Sequence, residues 1–147
     1  GFVPPFFAPT PPLPNHVPFR AELSKQTVGI VGFGKIGIAI ARRVAAFGCT
    51  VVGTVGRVVP PTPTPCELAW LEGRDGLGRL LDVSDYVVLA CPLTQSTREL
   101  IGAAQLERMK PTAILINIAR GGVVDEAALY HALNQGKIGG AALDVWW

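Results

Sequence analysis

A turn with three glycines, Gly32-Phe33-Gly34-Lys35-Ile36-Gly37, narrows the possible folds more than any other stretch of the chain. It comes directly after Gln26–Val31, a short apolar, β-branched run. It opens Gly37–Phe47, an apolar stretch whose adjacent Arg42 and Arg43 mark one polar face. A strand, a G-x-G-x-x-G turn and a helix form the context in which that spacing has physical meaning. Gly32 permits the tight turn, Gly34 lets backbone N–H groups approach a pyrophosphate, and Gly37 lets the helix pack close to the strand. The helix N-terminus adds about half a positive charge and free donors for an anion. The alternative reading is a glycine-rich turn that holds no ligand.

The alternation continues along the chain. Gly48 caps the first helix, Thr50–Val55 is β-rich, Glu67–Leu71 is a short strand and Leu77–Asp82 a short helix. Tyr86–Cys91 is a strand, and Ala103–Met109 is a helix stopped by Pro111. Ala113–Ile118 is a further strand. Asp125 caps a helix that runs to Asn134, with Gly136 beyond its end, and Ile138–Leu143 closes the set. The strands are nearly uniformly apolar, as they are when helices cover both faces of a parallel sheet. The expected fold is therefore α/β, a single Rossmann-like doubly wound domain over residues 23–147.

Residues 1–22 read differently. The first 19 hold seven of the chain's thirteen prolines and no Lys, Arg, Asp or Glu, which suits an extended or disordered lead-in. Prolines so dense do not suit a transmembrane helix, and the segment is not expected to be a secretory signal, which needs a cationic start and an apolar run. Val58–Pro65 is a second proline-rich stretch, with four prolines in eight residues. The chain begins with Gly1, and its single methionine is Met109; it stops two tryptophans after the last strand, so truncation is expected. The 49% hydrophobic and 16% charged composition excludes intrinsic disorder of the whole. A net charge of +2 without a basic block gives no footprint for nucleic acid. Three scattered cysteines form neither a disulfide framework nor a zinc site, so no metal is expected and a cytoplasmic setting is the default.

The end of the second strand addresses cofactor choice. A unit that binds NAD usually places Asp or Glu there, about 20 residues past the glycines, on the ribose hydroxyls. No acid stands between Glu22 and Glu67, and the position is taken by Val55-Gly56-Arg57. An absent carboxylate removes repulsion toward a 2′-phosphate, and an arginine can pair with one. Gly56 and Arg57 therefore point to NADP(H) over NAD(H); the alternative is that Arg57 is a solvated loop residue.

Three further stretches carry a family resemblance: Cys91-Pro92-Leu93-Thr94-Gln95-Ser96-Thr97, Met109-Lys110-Pro111 through Ile116-Asn117-Ile118-Ala119-Arg120-Gly121-Gly122, and Gly140-Ala141-Ala142-Leu143-Asp144-Val145. With the glycine turn they resemble the coenzyme-binding domain of the D-isomer-specific 2-hydroxyacid dehydrogenases, and Val55-Gly56-Arg57 is similar to the glyoxylate/hydroxypyruvate reductase branch. The resemblance implies hydride transfer between a nicotinamide and C2 of a small 2-keto or 2-hydroxy acid. Arg120 corresponds to the family's catalytic arginine, a planar fork suited to a carboxylate and a keto oxygen; the alternative is a capping or surface arginine. Asp144 corresponds to the aspartate near the nicotinamide carboxamide. Lys35 and Ile36 would offer backbone N–H groups to the pyrophosphate, Cys91 and Pro92 would line the adenosine side, Thr97 would hydrogen-bond the cofactor, and Ile118 and Ala119 would lie along the nicotinamide side. A homodimer is implied in the complete protein.

The chain also departs from that family. The glutamate and the acid/base histidine expected beyond Asp144 are not in it, nor is the substrate domain. His16 lies in the proline-rich lead-in, and His131 reads as a solvent-side helix residue. The chain alone is therefore expected to turn over negligibly. Two other readings stand beside the dehydrogenase one: a noncatalytic dinucleotide-sensing or corepressor-like interaction module, and a Rossmann enzyme for S-adenosyl compounds. Asn117–Gly121 and Leu143–Val145 argue against the latter.

Overall fold

The computed structural model describes residues 22–56 and 68–147. The lead-in to residue 21, with His16, and the segment 57–67, with Arg57, Cys66 and the second proline-rich stretch, lie outside the described residues. In chain order the elements are β1 (Thr27–Val31), α1 (Lys35–Ala46), β2 (Thr50–Thr54), β3 (Trp70–Glu72), α2 (Leu77–Val83), β4 (Tyr86–Leu89), α3 (Ala103–Arg108), β5 (Ile114–Asn117), α4 (Glu126–Asn134) and β6 (Gly140–Leu143).

The strands form one six-stranded sheet in the order β3-β2-β1-β4-β5-β6, every pair parallel. This is the doubly wound, Rossmann-like arrangement that the alternation of elements implies. Parallel neighbours need crossover connections; α1, α3 and α4 supply those from β1 to β2, β4 to β5 and β5 to β6, and the helices cover both faces. On one face α1 packs Ile40, Ala41, Val44 and Ala45 over Val28, Ile30, Val51 and Val88. On the other, Leu80 and Leu81 of α2, Leu106 of α3 and Leu129 and Ala132 of α4 cover Val31, Val52, Val87, Leu89 and Leu115. The side chains of β1, β2 and β4 are buried on both sides almost throughout, which explains why those runs show no polar alternation. Each fully buried Leu, Ile or Val contributes about 1.5–3 kcal/mol of transfer free energy.

Several ends differ from the sequence expectation. Helix α1 begins at Lys35, two residues before Gly37, because Gly34 stands at its N-cap and its carbonyl accepts Ile38 N–H at 2.9 Å. Strand β4 stops at Leu89; Ala90 N–H still bonds Val31 O at 2.8 Å, but Pro92 ahead has no donor to extend the ladder. Strand β6 starts at Gly140, and Ile138 is a buried plug in the α4–β6 connection. Asp125 does cap α4, its Oδ1 accepting Ala128 N–H at 3.0 Å, and Gly136 follows at φ +65°. Gln105 reaches back to Gly102 N–H at 3.2 Å to begin α3. His131 is exposed on α4 and stacks edge-on against Tyr130. Trp146 is 73% exposed, while Trp147 donates its Nε1–H to Val124 O at 2.8 Å. Among the described residues, no helix is long and apolar enough to cross a membrane.

Candidate dinucleotide-binding cleft

Strands β1 and β4 are neighbours in the sheet, yet the chain leaves them in opposite directions. After β1 it crosses to α1 and β2; after β4 it crosses to α3 and β5. A crevice must open above their C-terminal ends, and such a switch point is where open α/β sheets take ligands. The structure has two adjoining hollows there, of about 560 and 660 Å³, which share Gly34, Ala90, Cys91 and Pro92.

The glycine turn forms the floor. Gly32 has φ +99°, and a Cβ there would lie 2.6 Å from Cys91 N, so the turn after β1 sits directly on the chain leaving β4. A Cβ on Gly37 would collide with Gly32 O; Gly37 is buried inside the turn and lines neither hollow. Gly34 is the opposite case. It lines both hollows, and among the described residues a Cβ on it would face no atom within 4 Å. The free space beside its backbone fits a pyrophosphate at the start of α1, where the first helical N–H groups lack intrahelical partners.

The hollow beside β2 has apolar walls from Val31, Val55, Leu77 and Leu100, with Thr54, Gly56, Arg74, Thr94, Ser96 and Thr97 around them. The hollow beside β5 is lined by Lys35, Ile36, Leu93, Ile118, Ala119 and Arg120. Cys91 and Pro92 thus belong to the join and touch both halves. Among the described residues, the two linings contain Lys35, Arg74 and Arg120 and no Asp or Glu. Asp144 is exposed at the end of β6 and lines neither hollow; its N–H donates to Asn117 O at 3.0 Å.

Arg120 is held from below. Asn117, the last residue of β5, is fully buried. Its Nδ2 donates to Arg120 O at 3.0 Å, and its Oδ1 accepts Ala119 N–H at 3.0 Å. The side chain thereby satisfies two backbone groups of the turn that carries Arg120 into the cleft. Arg120 itself is exposed and donates from Nη1 to Ala119 O at 2.6 Å, leaving most of its fork free for an anion. The β4 loop is tied to the same turn by Glu99 N–H to Gly122 O at 2.8 Å and Ile101 N–H to Val123 O at 3.1 Å.

Thr97 builds its loop. Its hydroxyl donates to Pro92 O at 2.6 Å and accepts Thr94 N–H at 2.7 Å. Burial pushes the Cys91 thiol up from the usual thiol range, with its own backbone N–H and the charge of Arg74 pulling only partly back. It is a neutral, space-filling side chain at neutral pH, as its place at a strand's end suggests.

Sequence reading gives no role to Asn117 or Arg74. A lone amide inside the apolar run Ile114–Ile118 is the available signal for Asn117, because a buried polar group requires partners. Arg74 lies in Gly73-Arg74-Asp75-Gly76, a turn whose place above β2 depends on the pairing of β3.

Residues 14–147 match the D-isomer specific 2-hydroxyacid dehydrogenase, NAD binding domain. The chain belongs to the D-isomer-specific 2-hydroxyacid dehydrogenase family. It is 47% identical over 121 residues to a glyoxylate reductase of Thermococcus gammatolerans, covering 82% of this chain and 35% of that one. It is 42% identical over 126 residues to a D-3-phosphoglycerate dehydrogenase of Methanocaldococcus jannaschii, covering 85% and 23%. The crystal structure of a D-lactate dehydrogenase with NAD+ from Lactobacillus jensenii superposes with a TM-score of 0.75 at 37% identity, covering 85% of this chain and 36% of that one. The chain thus spans about a third or less of the length of these dehydrogenases. The part it shares with them is the nicotinamide-dinucleotide domain.

Proposed function

We propose that the cleft binds NADP(H) in preference to NAD(H). We further propose that this domain serves a dehydrogenase that transfers hydride between the nicotinamide and a small 2-keto or 2-hydroxy acid. One observation carries the reading: a continuous cleft over the β1–β4 switch point, floored by Gly34 and lined, among the described residues, by three cations and no carboxylate. The bound cofactor would supply or accept the hydride.

Each residue then has a physical task. Gly32, Gly34 and Gly37 shape the turn, and the backbone of Lys35 and Ile36 offers donors to the pyrophosphate. Cys91, Pro92 and Thr97 wall the adenosine half, with the Thr97 hydroxyl acting through the loop it ties. Ile118 and Ala119 flank the nicotinamide, and Asp144 waits beyond β6 for its carboxamide. Arg120 binds the substrate carboxylate and polarises the keto oxygen, a bidentate task for which a guanidinium is shaped. Gly56 and Arg57, with no acid from Leu23 to Cys66, support the 2′-phosphate preference. Exposed Phe47, Tyr130, Leu133 and Trp146 supply apolar surface for a homodimer. The free thiols Cys49 and Cys91 suit a cytoplasmic setting.

The test is a fluorescence titration of the chain with NADPH and NADH. One charge-assisted contact is worth about 1.5–3 kcal/mol, so NADPH should bind ~10–150-fold more tightly. Tighter binding of NADH overturns the cofactor choice, and binding of neither overturns the cleft assignment.

A further inference from the structure

We infer that Arg74 is a specificity-determining residue for the cofactor, its guanidinium pairing with a phosphate ester on the adenosine ribose. The inference rests on the reading that the cleft takes a phosphorylated dinucleotide. It concerns a residue distinct from the arginine that follows β2.

Position comes first. Thr54 pairs with Glu72 in the β2–β3 register, so the turn that leaves β3 emerges beside Val55 and Gly56. Arg74 shares the lining of the same hollow with those residues. A doubly wound domain meets the adenosine ribose at the end of β2. Arg74 therefore stands at the ribose end of the cleft, while Lys35 stands at its middle and Arg120 at its other end.

Its bonding is the second observation. Arg74 is exposed, and its Nη2 donates to Ser96 Oγ at 2.8 Å. Ser96 lies on the opposite wall, where its hydroxyl meets Thr94 Oγ1 at 3.0 Å. The guanidinium is thereby drawn across the hollow from the β3 side to the β4 side. That single bond uses one of five N–H donors, and among the described residues the others have no hydrogen-bond partner.

Charge is the third. The nearest strand carboxylate, Glu72, is paired with Arg79, which lies 4.7 Å over the ring of Trp70. Asp75 adjoins Arg74 in sequence but does not line the hollow. Among the described residues, Arg74 therefore faces the cleft without a carboxylate to neutralise it, and a phosphate is the partner that a planar fork prefers.

The test uses two adenosine ligands that differ by one phosphate, adenosine 2′,5′-bisphosphate and 5′-AMP, titrated calorimetrically into the wild-type chain, R74M, R74K and S96A. Wild type should prefer the bisphosphate. R74M should weaken the bisphosphate ~10–150-fold, the worth of one charge-assisted contact, and leave AMP unchanged. R74K should recover part of the loss through its charge, and S96A should cost the bisphosphate less than R74M does. If R74M weakens both ligands equally, Arg74 is a structural tie between two loops and the inference falls. If wild type discriminates and R74M discriminates as well, the inference alone falls. If wild type itself binds the two ligands equally, the NADP(H) reading has failed first.

Discussion

At the N-terminal ends of the strands the charged side chains are paired, whereas those lining the cleft at the C-terminal ends are not. Below the sheet, in the last turns of the helices and the connections that follow them, Lys110 meets Asp85 at 2.8 Å, Arg108 meets Asp82 at 2.5 Å and Lys137 meets Glu107 at 2.6 Å. Asp85 also accepts Thr27 N–H at 2.8 Å, which ties the start of β4 to the start of β1. Above the sheet, Lys35, Arg74 and Arg120 line the cleft, and among the described residues none of them has a carboxylate partner. The contrast is a division of labour. Pairs below neutralise one another and fasten elements, while cations above keep their field and donors for an anionic ligand.

The sharpest way to break this contrast is to damage the upper edge where it is also structural. G37V drives a side chain into Gly32 O. Overpacking against backbone costs about 1–3 kcal/mol or more. Urea denaturation should show that loss, and NADPH titration should show binding abolished; wild-type binding by G37V would remove the turn from the site.

N117A comes next. It strips a buried amide from Arg120 O and Ala119 N–H, and each orphaned group costs about 1–3 kcal/mol. N117D should not recover the stability, since it keeps the acceptor for Ala119 but buries an ionisable carboxyl whose second oxygen faces Arg120 O. Equal stability of N117A and wild type in urea would show that water replaces the amide.

D85A probes the lower edge alone. Losing the partner of Thr27 N–H and Lys110 should cost about 1–3 kcal/mol in the same denaturation, with NADPH affinity unchanged. A matching fall in affinity would mean that the two edges are not separable.

The smallest effect belongs to D82N. The hydrogen bond from Arg108, aided by its charge and opposed by slight burial, holds the Asp82 carboxyl below the usual carboxylate range. A carboxyl lowered in the folded state stabilises above its unfolded pKa, about 3.9, and that contribution is lost as pH falls through the lower folded value. The pair is exposed and screened, so D82N should lower the melting temperature only slightly at neutral pH. The difference from wild type should vanish in acid; a difference that grows in acid would contradict the assigned shift.

Much of this architecture is legible in the chain directly. The glycine spacing, the apolar strands, Asp125 as a cap and the family motifs all speak through local chemistry, since turn conformation, capping and burial act over a few residues. The ends of elements are less legible. Lys35 rather than Gly37 starts α1 because the cap carbonyl is that of Gly34, and Ile138 leaves β6 because it plugs the core instead. Arg120 is visible as a motif residue, yet its support by Asn117 is not, because that bond depends on how the chain turns after β5.

The sequence by itself determined an α/β domain built on a glycine turn, its family, and the missing acid between Glu22 and Glu67. Only the tertiary structure decided which residues face one another across the cleft. Arg74 and Ser96 are 22 residues apart and meet because β3 lies at the edge of the sheet beside β2 while β4 lies inside it beside β1. Strand order is settled by the packing of whole faces, and no local pattern in the chain encodes it.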